Sequence, residues 1–307
     1  MRSIHKSILV IGGTRYFGRV LVQRLVDAGH SVTVLTRGKK ADGFGDSVRR
    51  LRADRTNAAA LRRALEPFHF DLVYDQMCYN PVDARNICEI LDGRADRYIM
   101  SSTIEVYEHL RGVVAGDYRE QDIDLARLRI DSSYPWHAGP ADANYAAGKR
   151  QAEAVIATAG FAWATVRIGH VLSGPDDFTG RLADYVGRVP RDEPLRHSAD
   201  PGPSSFIDRD SIADFLVWLG DRQESGPFNA ASSDPLTAID LHSIISSELG
   251  REFRAGVAAA GEALSPFDFP ARHAMSNQRA TSVGFDFGRV GDRLPHLIRQ
   301  HAQALAA

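Results

Sequence analysis

Ile8-Leu9-Val10-Ile11-Gly12-Gly13-Thr14-Arg15-Tyr16-Phe17-Gly18 is the stretch on which the fold turns. An apolar run ends in two glycines, after which Phe17, Val20, Leu21, Leu25 and Ala28 recur at helical spacing until Gly29. That pattern is a buried strand turning into a helix. Ser31 to Leu35 is rich in β-branched residues and alternates, so the opening reads strand, helix, strand. Glycines in such a turn let the backbone approach a pyrophosphate, while the helix start aims N–H groups and its positive end at an anion. Gly12, Thr14, Arg15, Tyr16, Phe17 and Gly18 are therefore candidate cofactor-phosphate residues. Arg15 stands where nucleotide-binding turns usually keep another glycine, so the stretch alone fits either a cofactor site or a tight strand-to-helix turn.

The alternation continues outward. Val48 to Ala53 reads as a third strand ending at Asp54-Arg55, with Thr56 or Asn57 able to cap a helix carrying Leu61 and Leu65. Asp71 to Asp75 is a fourth strand, followed by Gln76-Met77-Cys78 and a helix over Val82 to Leu91. Arg97 to Met100 is a fifth, running into Ser101-Ser102-Thr103. Repeated βα units imply an α/β fold, a parallel sheet with helices on both faces and ligands at the carboxyl ends of its strands. At those ends Asp54 and Arg55 are placed to reach an adenine, or else serve as loop and cap residues, and Gln76 is a further cofactor candidate. The second strand ends in Thr36-Arg37-Gly38-Lys39-Lys40, without the acid that would hold a ribose 2′-hydroxyl. Arg37 with Arg15 would bracket a 2′-phosphate, which favours NADP, with NAD as the alternative; a solvated loop accounts for the same charges.

A chain of 307 residues accommodates one large α/β domain, drawn here at 1–168, and a smaller lobe at 169–307 with some segments returning to the first domain. The formal net charge of −2 gives no global attraction to nucleic acid or to anionic membranes. Cys78 and Cys88 are too few for a disulfide framework or a four-ligand zinc site, so no metal is expected. No apolar run reaches membrane-spanning length, and the Met1 to Lys6 lead-in has no signal-peptide apolar region, so a cytoplasmic protein is expected. From Glu108 to Ala143 the pattern dissolves into a long irregular stretch, read as a wall of the substrate site. His137 within it is either a base or an incidental loop histidine.

The next helix, Asn144 to Thr158, carries Tyr145 and Lys149. Positions i and i+4 share a face, and a cation beside a phenol favours the phenolate, bringing it toward proton transfer to a carbonyl or from an alcohol. Beyond it come a strand over Trp163 to Ile168, the Gly169 to Asp177 departure from the sheet, and a helix through Ile212 and Leu219 capped by Asp208 or Asp210. Ile239 to Leu249 and Val290 to Ala306 are read as helices, and Val257 to Pro266 as a connection or exposed loop.

With these pieces in order, the chain resembles an extended short-chain dehydrogenase/reductase of the NAD-dependent epimerase/dehydratase type, over most of its length. The matching pieces are Gly12 to Gly18, Asp54-Arg55, Ser101-Ser102-Thr103 with Val106-Tyr107, Tyr145 to Lys149 continuing to Glu153, Val166-Arg167 with Gly174-Pro175, and Phe206-Ile207-Asp208. The resemblance implies a Rossmann-type doubly wound sheet with a smaller substrate lobe. It implies that Tyr145 is the acid/base, that Lys149 holds the nicotinamide ribose and biases Tyr145 toward phenolate, and that Thr103 hydrogen-bonds the reacting oxygen. It also implies a sugar-like or nucleotide-sugar substrate and leaves room for a homodimer; Thr103, His137 and His170 are the candidate substrate contacts. Two departures stand out. The Gly-Gly-Thr-Arg turn belongs to a branch that also includes proteins resembling chloroplast RNA-binding factors, so a dinucleotide-fold RNA-binding or regulatory protein without turnover is the rival, with Arg49, Arg50, Arg52, Arg55, Arg62 and Arg63 as its basic stretch. His170 stands near where sugar-nucleotide enzymes of the family commonly place an asparagine.

Overall fold

The computed structural model describes residues 5–39, 41–138 and 144–306. The first four residues of the N-terminal lead-in, Lys40 of the cationic strand end and residues 139–143 closing the long irregular stretch lie outside the described residues.

Apolar runs become buried strands and periodic segments become helices. In chain order these are β1 (Ser7–Ile11), α1 (Tyr16–Asp27), β2 (Ser31–Thr36), β3 (Arg49–Arg52), α2 (Ala58–Leu65), β4 (Leu72–Asp75), α3 (Pro81–Leu91), β5 (Arg97–Thr103), α4 (Tyr145–Ile156) and β6 (Ala162–Ile168). There follow β7 (His170–Leu172), α5 (Arg181–Arg188), β8 (Leu195–His197), β9 (Phe206–Asp208), α6 (Arg209–Gly220), β10 (Gly226–Ala230), α7 (Ala238–Glu248), β11 (Ala255–Val257), α8 (Gln278–Ser282) and α9 (Leu294–Ala306).

Among the described residues seven strands form a parallel sheet in the order β10-β6-β5-β4-β1-β2-β3. The chain runs outward from β1 to β3 and then returns to lay β4 on the other side of β1, with Val10 paired to both Val34 and Tyr74. The order reverses between β1 and β4, and in such sheets the crevice beyond the strands' carboxyl ends at the reversal is where ligands bind. Every residue of β4 and β5 is buried, as strands covered on both faces require. β3 is the exception: Arg49, Arg50 and Arg52 are exposed on the sheet's edge, where charge blocks pairing with another chain. One apolar cluster joins Leu9 and Met100 of the sheet to Leu61, Ile87 and Ile156 of the helices.

The chain divides into two compact units. The first comprises the described residues of Met1–Val106, Glu120–Arg167 and Ile212–Phe228; the second comprises Tyr107–Arg119, Ile168–Ser211 and those of Asn229–Ala307. The second unit has its own apolar cluster, including Leu182, Tyr185, Phe206, Leu241, Phe267 and Ile298, and two short parallel pairs, β7 with β9 and β8 with β11. No helix among the described residues is long and apolar enough to cross a membrane.

Local chemistry explains where element ends differ from the periodic reading. β5 runs on through Ser101-Ser102-Thr103, whose side chains stay buried as the strand's last residues. Asn57 caps α2 by accepting from Ala60 N at 3.0 Å. Asp208 rather than Asp210 caps α6, accepting from the N–H groups of Asp210 and Ser211 at 3.0 Å each. The terminal helix starts at Leu294 after a separate short turn, Val290–Asp292. Pro295 there needs no hydrogen-bond partner for its nitrogen in the helix's first turn.

Candidate active site

The turn between β1 and α1 is shaped by what a side chain would strike. Gly12 and Gly13 hold φ of +96° and +77°, and a Cβ on Gly13 would lie 2.7 Å from Val10 Cγ1. Arg15 is extended, with φ −141° and ψ 159°, so the backbone demands no glycine there; the left-handed conformation falls on Tyr16 instead, with φ +55°. That is why this turn tolerates Arg15. Arg15, at the helix's N-cap, makes no side-chain cap hydrogen bond, and the first turn carries no acid. Gln76, at the end of β4, donates its backbone N–H to Ile11 O at 3.1 Å. Its side-chain amide lies over Gly18, where a Cβ would come within 2.0 Å of Oε1. Gln76 Nε2 is buried with no hydrogen-bond partner among the described residues, a donor whose burial costs free energy until an acceptor meets it. A glycine cradle, a helix start without an acid in its first turn and an unmet donor at the sheet's reversal fit an anionic dinucleotide.

Beyond β2 and β3 lies a cavity of about 430 Å³ lined by Thr36, Gly38, Lys39, Asp42, Arg50 and Arg52, among others. Arg50 is tied to Asp42 by a two-pronged contact at 2.8 and 2.9 Å. Arg52 packs on Gly38, where a Cβ would lie 2.8 Å from its Nε. Arg37 and Arg15 are exposed and are not among the lining residues. Asp54 is exposed nearby. Hydrogen bonds from Thr56 N and Oγ1 hold its carboxyl below the usual range, and the Arg37 and Lys39 cations add to this.

Arg55 turns inward. Its guanidinium pairs with Asp75, lies 3.4 Å from Asp83 Oδ2 and donates to Met77 O at 3.3 Å. Asp75 also accepts from Tyr98 OH at 2.7 Å and Met77 N at 2.8 Å. The side chain therefore fixes the turn after β4 from beneath, because two buried carboxylates need a cation. Burial pushes the Asp83 carboxyl up against the pull of Arg55, and His137 Nε2 stands 3.6 Å from Asp83 Oδ1 on an exposed loop. The thiols of Cys78 and Cys88 are each pushed up to about 12 by burial, which leaves both unreactive.

Tyr145 opens α4 and Lys149 follows one turn later. Lys149 is 2 % exposed, donates from Nζ to Ser101 O at 2.8 Å and stands 5.9 Å from the Tyr145 ring centroid. Burial lowers its pKa to about 8, opposed by the neighbouring Cys78 thiol and Asp75 carboxylate. Thr103, at the end of β5, accepts from Glu105 N at 3.2 Å. The helix docks closely: a Cβ on Gly148 would lie 2.5 Å from Tyr79 O. One turn past Lys149, Glu153 accepts from Ser102 Oγ and pairs with Arg167 Nη2 at 2.7 Å, both side chains being fully buried. Arg167 Nη1 reaches Glu120 O at 3.0 Å. α4, β6 and the end of β5 are thus bound into one unit around Thr103 and Lys149.

His170 lies in the second unit, 7 % exposed, with its ring stacked on Phe269 at 5.1 Å. Sequence reading missed Tyr79, whose ring centroid lies 4.5 Å from Lys149 Nζ and 6.2 Å from that of Tyr145. The signal for it was an aromatic residue in a strand-to-helix turn at the sheet's carboxyl edge. Sequence reading also gave Glu153 and Arg167 no role, although an acid four residues beyond Lys149 and a lone arginine inside an apolar strand mark a buried pair.

A family model described as NAD(P)H-binding matches residues 12–221. The chain is 26% identical over 261 residues to the chloroplast stem-loop binding protein of 41 kDa b of Arabidopsis thaliana, covering 78% of this chain and 61% of that protein. The chain thus spans less than two thirds of that relative's length. Among solved structures, the UDP-glucose 4-epimerase of Thermus thermophilus in complex with NAD superimposes with a TM-score of 0.71 at 18% identity, covering 97% of this chain and 99% of that one. The UDP-glucose 4-epimerase of Thermotoga maritima with UDP-glucose gives 0.74 at 15% identity, with 97% and 99% covered. The dTDP-glucose 4,6-dehydratase of Bacillus anthracis in complex with NAD gives 0.74 at 13% identity, with 96% of each chain covered. At such identities the likeness is one of fold.

Proposed function

We propose, from the premise that this chain belongs to the NAD(P)H-binding family, that it is an oxidoreductase of the extended short-chain dehydrogenase/reductase type. It acts at a secondary alcohol or ketone of a sugar-like or nucleotide-sugar substrate, as an epimerase, dehydratase or reductase. The observation that carries this reading is a fully buried lysine, Lys149, tied to the strand end that bears Thr103 and set beside Tyr145. The fold neighbours that act on nucleotide sugars support the substrate class.

Gly12, Gly18, the start of α1 and Gln76 would hold the cofactor, and a bound nicotinamide would accept or return the hydride. The chain's own residues handle the proton. Tyr145 gives it to, or takes it from, the reacting oxygen, and Thr103 hydrogen-bonds that oxygen. The Lys149 ammonium favours the Tyr145 phenolate electrostatically and is available to ribose hydroxyls. His137 and His170 are carried forward as candidate substrate contacts, and the cytoplasm as the setting.

NADP is assigned as the preferred cofactor. The end of β2 carries Arg37 and Lys39, and Lys39 and Arg52 line the adjoining cavity. NADPH should bind more tightly than NADH, and Arg37→Glu should erase the difference; equal affinities in the unmodified protein would remove the preference. Mass analysis of small molecules released from the purified protein, with titration of both dinucleotides, tests the reading as a whole. Binding of neither would contradict it. A second reading, an RNA-binding protein without turnover, draws on the stem-loop binding relative and on the exposed Arg49, Arg52, Arg62 and Arg63. RNA affinity falling steeply with salt, without oxidoreductase activity, would favour it.

A further inference from the structure

We propose that Tyr79 is a positioning residue for Lys149: its ring face holds the ammonium in its charged form and in place between Ser101 O and Tyr145. This rests on the reading of Lys149 and Tyr145 given above.

An ammonium carries three donors. Nζ of Lys149 spends one on Ser101 O at 2.8 Å and makes no ion pair among the described residues. A buried cation so placed needs compensation. Tyr79 supplies it: the ammonium stands 4.5 Å from the ring centroid, within the range of a cation–π contact and closer than the 5.9 Å to Tyr145. The ring is placed by the backbone on both sides. Tyr79 N donates to Asp83 Oδ2 at 3.1 Å, just before the Asn80 cap of α3, and Tyr79 O faces Gly148 of α4, where no Cβ intervenes. The phenol oxygen points to Met77 Sδ at 3.6 Å, a weak contact that leaves the ring face as the part that matters.

The other groups around the ammonium divide in sign. From the end of β4 comes Asp75, from the turn after it Cys78, from α3 Asp83, from the turn after β3 Arg55, and from α4 itself Tyr145. Asp75 and Asp83 favour the charged form but are engaged with Arg55, which opposes it. Burial is the larger influence and brings Lys149 to about 8, so its charge lies close to being lost under mildly alkaline conditions.

The chain has four lysines, Lys6, Lys39, Lys40 and Lys149, so the titration of each can be followed by NMR of side chains labelled with carbon-13 at Cε. Tyr79→Phe keeps the ring face and should leave the Lys149 midpoint where it is. Tyr79→Leu keeps apolar bulk but removes the ring, and should lower the midpoint by about half to one and a half pH units. A midpoint that stays or rises in Tyr79→Leu overturns the proposal, as does a fall of that size in Tyr79→Phe. If the leucine variant does not fold, the phenylalanine variant decides alone, retention supporting the proposal and a fall overturning it. The titration needs neither cofactor nor substrate. Absence of turnover in the parent protein would therefore defeat the proposed function without touching this result, and an unmoved midpoint would defeat this inference without touching the function. Where turnover is measured, the high-pH limb of the rate profile should follow the midpoint across the three proteins.

Discussion

Replacing Gly148 by alanine sets two known effects against each other. A glycine inside a helix costs about 1 kcal/mol relative to alanine, so on propensity alone Gly148→Ala should stabilise α4 by that amount. The structure puts the new Cβ 2.5 Å from Tyr79 O, about 0.8 Å inside an ordinary carbon–oxygen contact of ~3.3 Å. Tyr79 O is backbone, held in the capped start of α3 through Tyr79 N and Asp83, so it cannot swing aside as a side-chain end would. Overpacking of this kind costs about 1–3 kcal/mol, which leaves a net change between nothing and about 2 kcal/mol of destabilisation. Turnover should suffer more than stability, because α4 has to shift and carries Tyr145 and Lys149 on either side of the glycine. A displacement of about 1 Å at a reacting group costs roughly a hundredfold. Urea unfolding of the variant, with Ala147→Gly as the propensity control, measures the first effect, and steady-state rates measure the second. A Gly148→Ala protein about 1 kcal/mol more stable than its parent, with unchanged rates, would refute the close approach.

Gly18→Ala should fold, since the overlap falls on the movable Gln76 amide, but should weaken dinucleotide binding by about tenfold or more in a fluorescence titration. Arg167→Leu takes the paired cation away from the buried Glu153 and should cost about 3–5 kcal/mol, whereas Arg167→Leu with Glu153→Leu should recover most of the loss in the same unfolding assay. The pKa of Lys149 is lowered to about 8 in the folded chain, against 10.5 for the unperturbed group, so the unfolded chain holds the extra proton between those values. Stability should therefore rise with pH across that window, by up to about 3 kcal/mol, and Lys149→Met should flatten the rise. Turnover should move the opposite way, falling as pH passes about 8 and the ammonium is lost.

Much of the fold was legible in the sequence because its signals are local. The apolar runs of β1, β4 and β5, the glycine turn after β1 and the i, i+4 placing of Tyr145 and Lys149 can each be read within a dozen residues. What could not be read depends on contacts between distant segments. Arg55 looks like a surface residue beside Asp54 until the chain brings Asp75 and Asp83 beneath it. Tyr79 acquires its place only when α4 docks on it through Gly148, and the Glu153 and Arg167 pair only when β6 lies beside β5. The short strands β7, β8 and β11 of the second unit, each of three residues, carry too few side chains for alternation to show.

Tyr145→Phe bears most directly on the proposed chemistry, because it keeps the ring and removes only the transferable proton. Ketose and nucleotide-sugar substrates are screened first, by reduced-cofactor absorbance and, for redox-neutral epimerisation, by product composition. The variant should then fold and bind dinucleotide almost as the parent does and lose turnover by about two to four orders of magnitude. Lys149→Ala serves as its contrast and should lose both turnover and dinucleotide affinity. Full turnover in Tyr145→Phe would contradict the assignment of Tyr145 as the acid/base, whatever cofactor the protein binds.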